Sequence, residues 1–354
     1  MPSTNYAYVN GKFVPEPKAV VSIRDRGFLY GDGCFETLRM YTGQLFRFPE
    51  HLVRLGAGLA ELGIEMWLSP AELRAACQAL RKLNEVRDGV ARIYQSRDSI
   101  VVTVQPRDFP THELHAIVST IRLDGRLSQF KTANRLPYIL AQREAERAEV
   151  NDAVLLNSMG QVAEFTASNL FVAKNGILLT PPLADGPLPG ITRQVVLELA
   201  VAAKLPVREF SFGPDFLATA DEVFATNSLM EIAPVLTWGR PGRITRRLQS
   251  LFRQAVCIAI HDLRFEQISV ILSTAMNQIH GHDVLNMMLA SGKTYTKATL
   301  VVDIIEKFGR DAKFHTCSAE DMTAEALVDF LEARGKFKPH SDGFQTSPEV
   351  ICQH

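Results

Sequence analysis

Little in this chain points to a membrane, to nucleic acid or to a disulfide framework. Its most apolar late stretch, Ala255–Met276, is interrupted by His261, Asp262, Arg264 and Glu266, too much charge for a good bilayer span. The opening MPSTNYAYVNGKFV has no basic run followed by an apolar one, so no secretory leader is expected. Lys and Arg (38) nearly balance Asp and Glu (39), and a net charge of −1 gives no electrostatic attraction to nucleic acid or an anionic surface. The five cysteines are odd in number and widely spread, which predicts a reducing compartment, the cytoplasm. No internal repeat is visible. What is present is the composition of a globular protein, 46% hydrophobic and 22% charged, and 354 residues are too many for one typical core.

The informative stretch runs from Lys131 to Ala200. Lys131 precedes a helix that Pro137 can start. Glu164 ends a short strand opened by a Met-Gly turn. Asn169–Lys174 and Ile177–Thr180 meet at Asn-Gly, a strong hairpin signal. Gly190-Ile191-Thr192-Arg193 opens an apolar helix whose free N–H groups can hold an anion. An amine, a carboxylate and an anion cradle suit a cofactor with an aldehyde, a ring nitrogen and a phosphate, as in pyridoxal 5′-phosphate. Taken singly, these are a surface lysine, a solvated glutamate and an ordinary helix start; the ordered set is what carries weight.

Earlier in the chain, Tyr6–Val9 and Lys12–Val14 read as a hairpin. Phe35–Tyr41 and Gln44–Phe48 read as paired strands, and Pro49 starts a helix with Arg54. A second helix follows Ser69-Pro70, and strands Val90–Gln95 and Ser99–Val104 complete a small α/β unit. Later, Asp221–Thr226 reads as a buried strand leading into Asn227-Ser228-Leu229-Met230, and Arg243–Ile260 as a helix.

Residues 5–260 resemble the class IV (fold type IV) pyridoxal-phosphate enzymes: branched-chain and D-amino acid aminotransferases and 4-amino-4-deoxychorismate lyases. The resemblance implies a two-domain α/β (α+β) fold, with a small α/β domain over 1–112 and a larger pseudo-barrel domain over 113–261. It implies Lys131 as the amine that holds the cofactor and moves a proton, and Glu164 as partner of the ring nitrogen. Arg54, Ile191, Thr192 and Ser228 would anchor the phosphate. Asn134-Arg135-Leu136, Asn227–Met230 and Thr37 look most like the lyase, in which the threonine assists the proton transfer that expels pyruvate. Leu188–Arg193 matches aminotransferases at least as well. The family's Gly- and Arg-rich substrate loop is replaced here by Ser96-Arg97-Asp98-Ser99, with Arg39, Arg97 and Arg135 as candidate substitutes for carboxylate recognition. A homodimer acting on a small amino substrate is implied.

From His280 the chain changes character. His280/His282, His315/Cys317 and Cys352/His354 are three pairs of donors suited to zinc or another late transition metal. Either four of the six make one site or the six serve two metals. Val284–Leu289, Thr299–Phe308 and Thr323–Arg334 carry helical apolar spacing, with Ser318 and Thr323 as caps. Residues 280–354 resemble the bacterial YecH-like family, described as metal-binding and of unknown role. The expectation is a small, mostly helical module joined through a linker over 262–279.

The leading expectation is a lyase yielding 4-aminobenzoate and pyruvate for folate synthesis. An aminotransferase for branched-chain or D-amino acids is the alternative enzyme, and an inactive scaffold carrying a metal-binding module the alternative of another class.

Overall fold

The computed structural model describes residues 5–110, 113–123, 126–276, 278–308, 313–316 and 319–347; the side chains of 261–280, 313, 315 and 319–321 are not described. Contacts divide the chain into a unit over Met1–His261 and one over Asp262–His354.

The first unit begins with a six-stranded sheet in the order β2-β1-β6-β5-β3-β4. Its elements are β1 (Tyr6–Val9), β2 (Lys12–Pro15), α1 (Arg26–Tyr30), β3 (Gly33–Tyr41), β4 (Gln44–Leu45), α2 (Phe48–Glu61), α3 (Pro70–Leu83), β5 (Gly89–Ser96) and β6 (Ile100–Pro106). The strand expected over Gln44–Phe48 is only two residues long, because α2 already begins at Phe48. Helix α3 starts where expected: the Ser69 hydroxyl accepts from the Glu72 N–H, and the Glu72 carboxylate accepts from the Ser69 N–H. Leu52, Leu55 and Leu59 of α2 and Leu73 and Leu80 of α3 are buried with Leu38, Met40 and Ile93 of the sheet. Helical spacing puts those leucines on one face, so the two helices cover one side of the sheet.

The rest of this unit follows as β7 (Ala116–Leu123), α4 (Leu136–Arg147), β8 (Asp152–Asn157), β9 (Val162–Phe165), β10 (Asn169–Lys174), β11 (Ile177–Thr180), α5 (Ile191–Ala202), β12 (Val207–Glu209), β13 (Glu222–Asn227) and β14 (Glu231–Pro234). Strands β7 and β8 are parallel, with α4 as their crossover, and β9 adds antiparallel. A five-stranded sheet runs β12-β11-β10-β13-β14. Strands β8, β9 and β10 are buried almost throughout, because both faces meet apolar neighbours. Helix α6 (Arg243–Met276) runs into the segment expected as a linker over 262–279. Among the described residues no helix is long and apolar enough to cross a membrane.

The second unit has β15 (Gln278–His280), α7 (Gly281–Ser291), α8 (Lys297–Phe308), β16 (Lys313–Thr316), β17 (Ala319–Met322), α9 (Ala324–Ala333), β18 (Lys338–His340) and β19 (Gly343–Gln345). The three expected helices are present, and Thr323 caps α9 by accepting from the Ala326 N–H. The strands were not expected. They are short, and their pairing is non-local: β15 joins β16 across two helices.

Candidate active site

Lys131 lies in the segment between β7 and α4, and that segment is held against the start of β3. The Phe35 N–H donates to the Lys131 carbonyl at 3.0 Å and the Ala133 N–H to the Gly33 carbonyl at 2.7 Å. These bonds bring the amine over the Phe35 ring, 4.7 Å from its centre. Burial and then the charge of Arg54 lower the Lys131 pKa to about 8.

Glu164 ends β9 in the interior, 4% exposed. Its carboxylate accepts from the Leu188 N–H at 3.0 Å, from Asn169 Nδ2 at 3.3 Å and from the Tyr138 hydroxyl at 3.2 Å. Burial nevertheless dominates and raises its pKa to about 7. A side chain at Gly190 would collide with the Asn169 amide. Glycine is therefore required where the chain turns into α5. Gly190 offers no side-chain cap, so the Ile191 and Thr192 N–H groups stay available at the helix start.

Arg54 and Ser228 complete this end. Alternation along β3 sends Phe35 and Thr37 to one side and Glu36 to the other, where α2 lies. Glu36 is fully buried and accepts from Arg54 Nε and Nη2, both at 2.7 Å. Arg54 Nη1 donates to the Pro189 carbonyl at 2.9 Å. Residue Ser228 sits in the turn between β13 and β14, which Asn227 shapes by accepting from the Leu229 and Met230 N–H groups.

Lys131, Glu164, Arg54, Ile191, Thr192, Ser228 and Thr37 all line one cavity of about 330 Å³. The donor set fits pyridoxal 5′-phosphate: an amine of depressed pKa, a buried carboxylate, and an anion end made from a helix start, an arginine and a hydroxyl. The cavity also takes in Arg92 and Arg135, two arginines that form no salt bridge among the described residues. Arg92 lies over Phe35, and its pKa is lowered by burial and then by the charge of Arg135. Arg135 stacks on Tyr138 at 3.5 Å and donates to the Thr166 carbonyl at 2.6 Å. Of the three arginines considered as substitutes for the replaced loop, Arg135 alone lines the cavity. Arg39 is paired with Glu231 at 2.9 Å and stacked on Phe109, and Arg97 donates to the Gly63 carbonyl at the surface.

A sequence profile for amino-transferase class IV matches residues 33–238. The chain belongs to the class IV aminotransferase family. It is 32% identical to the aminodeoxychorismate lyase of Bacillus subtilis over 281 residues, covering 72% of this chain and 96% of that protein. It is 31% identical to a D-alanine aminotransferase of Bacillus licheniformis over 271 residues, covering 70% and 95%. The Escherichia coli branched-chain amino acid aminotransferase structure aligns with TM-score 0.66 at 26% identity, covering 71% of this chain and 94% of that one. The protein is thus a pyridoxal-phosphate-dependent class IV enzyme. A second profile, described as a protein of unknown function (DUF2492), matches residues 277–353.

Sequence reasoning missed several residues of this class IV site. Arg92 faces Thr37 across the β3–β5 register, a pairing that no local pattern reveals. Glu36 adjoins Thr37 within the strand read over Phe35–Tyr41, but its partners His51 and Arg54 lie on another element. In the second unit, His280 and His315 are register partners in the parallel β15–β16 pair, and His282 lies in the first turn of α7. Cys317, Cys352 and His354 are outside the described residues. Among the described residues, no group of three or more metal-ligating side chains occurs.

Proposed function

We propose that this enzyme is a 4-amino-4-deoxychorismate lyase. The observation carrying this reading is that the Thr37 side chain lines the same cavity as Lys131 and Glu164, with Arg92 and Arg135 beside it. The substrate has two carboxylates, and two arginines with spare donors suit them. When bound, the cofactor supplies an electron sink. Arg54, Ser228 and the start of α5 hold its phosphate. Glu164 holds a proton at the ring nitrogen. Lys131, with its depressed pKa, removes the proton at the amine-bearing carbon. The substrate's cyclohexadiene ring becomes aromatic as the C–O bond on the neighbouring ring carbon breaks, and enolpyruvate leaves. Thr37 helps pass a proton to its methylene carbon, giving pyruvate. No other atoms enter or leave. Pyruvate release from 4-amino-4-deoxychorismate without a keto-acid acceptor tests this. Strict dependence on a keto acid would instead support the aminotransferase reading, which the Leu188–Arg193 run and the D-alanine aminotransferase relative favour.

A homodimer is part of the proposal. Ile23, Phe28, Leu29 and Tyr30 form an apolar stretch around α1, each at least half exposed, more apolar surface than one short segment normally leaves in water. A second copy is the proposed cover, and sedimentation of a single monomeric active species would remove it. The C-terminal module is proposed to bind zinc or a similar metal through donors drawn from His280, His282, His315, Cys317, Cys352 and His354. The folate pathway and the cytoplasm follow from the lyase reading and the odd number of widely spread cysteines.

A further inference from the structure

Behind Arg54 lies a buried chain of polar groups that the reaction above does not use. Glu36 binds Arg54 through both carboxylate oxygens and also meets His51 Nδ1 at 2.7 Å. His51 is 1% exposed and lies three residues before Arg54, on the same face of α2. Its other ring nitrogen, Nε2, is 3.5 Å from the Ser228 hydroxyl. The path Arg54–Glu36–His51–Ser228 therefore begins and ends on the two side chains of the anion end.

The protonation state of His51 decides where the Ser228 proton points. With Nδ1–H donated to Glu36, a neutral His51 offers only a lone pair at Nε2. The Ser228 hydroxyl then gives its single proton to His51 and presents lone pairs to the cavity, where they repel a phosphate oxygen. A protonated His51 donates at both nitrogens, and Ser228 can turn its proton to the phosphate. Glu36 already neutralises Arg54, so a dianion entering here meets less positive charge than Arg54 alone would suggest.

We propose that binding of the cofactor's phosphate drives protonation of His51, which then acts as a positioning residue that turns Ser228 into a donor. The proposal rests on the anion end assigned above. Before phosphate binds, burial holds His51 below its ordinary pKa; Glu36 on β3 opposes this, while Arg54 on α2 and Lys131 beside β3 reinforce it. Those three charges act on the ring most strongly, and the uncharged Ser228 hydroxyl faces it from the β13–β14 turn. A phosphate dianion adds negative charge on the Ser228 side and reverses the balance.

The test is calorimetric titration of the cofactor-free full chain with pyridoxine 5′-phosphate, which has no aldehyde to react with Lys131. Buffers of different ionisation enthalpy at pH 7.5 measure the protons exchanged. Pyridoxine without phosphate is the control for Glu164 and the ring nitrogen. The expected result is close to one extra proton taken up with the phosphate ester. Its affinity should also fall by up to about tenfold for each pH unit of rise, beyond any trend seen with pyridoxine. The extra proton should vanish in His51→Gln, and Ser228→Ala should weaken the ester while leaving pyridoxine binding unchanged. If Ser228→Ala weakens the ester but wild type takes up no extra proton, or His51→Gln retains it, the His51 proposal fails alone. If the ester and pyridoxine bind alike and Ser228→Ala changes neither, the assignment of the anion end fails and the proposal with it. Absence of the wild-type difference overturns the proposal even if His51→Gln does not fold.

Discussion

Thr37 of β3 and Arg92 of β5 are direct register partners, and both line the cavity that holds Lys131 and Glu164. A hydroxyl and a guanidinium are thus set side by side on one face of the first sheet by strand pairing alone. The neighbouring positions of β3 turn away: Glu36 toward α2, Leu38 into the core. One residue of slip would exchange these faces and empty the site of both groups.

Removing the arginine tests its part in substrate binding. Arg92→Gln should raise KM for the carboxylate substrate by about 10- to 100-fold, the range of one charged hydrogen bond. Cofactor affinity should change far less, because Arg92 is not one of the groups assigned to the anion end. Steady-state kinetics with cofactor titration decide it, and an unaltered KM would remove Arg92 from the substrate site.

Lys131→Ala should cost about a thousandfold or more in turnover and leave the fold intact. In the wild type, the lowered pKa of about 8 sets the pH dependence of cofactor loading. The rate at which cofactor-free protein bonds the aldehyde should rise with pH through about 8 and level off above. Borohydride fixation followed by mass measurement of the tryptic peptide reads both; a label on another lysine would refute the assignment.

Glu164→Gln should slow proton removal by about a hundredfold or more while weakening cofactor binding far less. The same change has a stability consequence whose sign follows from linkage. A carboxyl raised from 4.5 to about 7 favours the folded state only while protonated. That stability is fully present below 4.5 and is lost as pH rises to about 7. A neutral amide avoids the loss, by at most about 3 kcal/mol. Cofactor-free Glu164→Gln should therefore melt higher than wild type above neutrality and nearly level with it in acid. Equal melting differences at both pH values would contradict the buried-carboxylate account.

Deleting Ile351–His354 should lower the metal bound per chain and leave pyruvate release unchanged. Elemental analysis beside the activity assay checks it. Equal metal content would take Cys352 and His354 out of the site, and lost activity would mean that the two units are coupled.

The parts of this protein legible in its sequence are those whose physics is local. Lys131 before a proline-started helix, Glu164 before a hairpin, the glycine at the start of α5 and the Ser69 cap all depend on neighbours a few residues away. Their residue types also name the chemistry. The C-terminal helices were legible for the same reason, since their apolar spacing repeats within each segment. What only the tertiary structure decided are meetings between distant segments: Glu36 with His51 and Arg54, Arg92 with Thr37, Tyr138 with Glu164, β15 with β16. Burial belongs to this second class, because it sums contributions from every element packed around a group. That is why a lysine and a glutamate visible in the sequence acquire their working pKa values only in the folded chain.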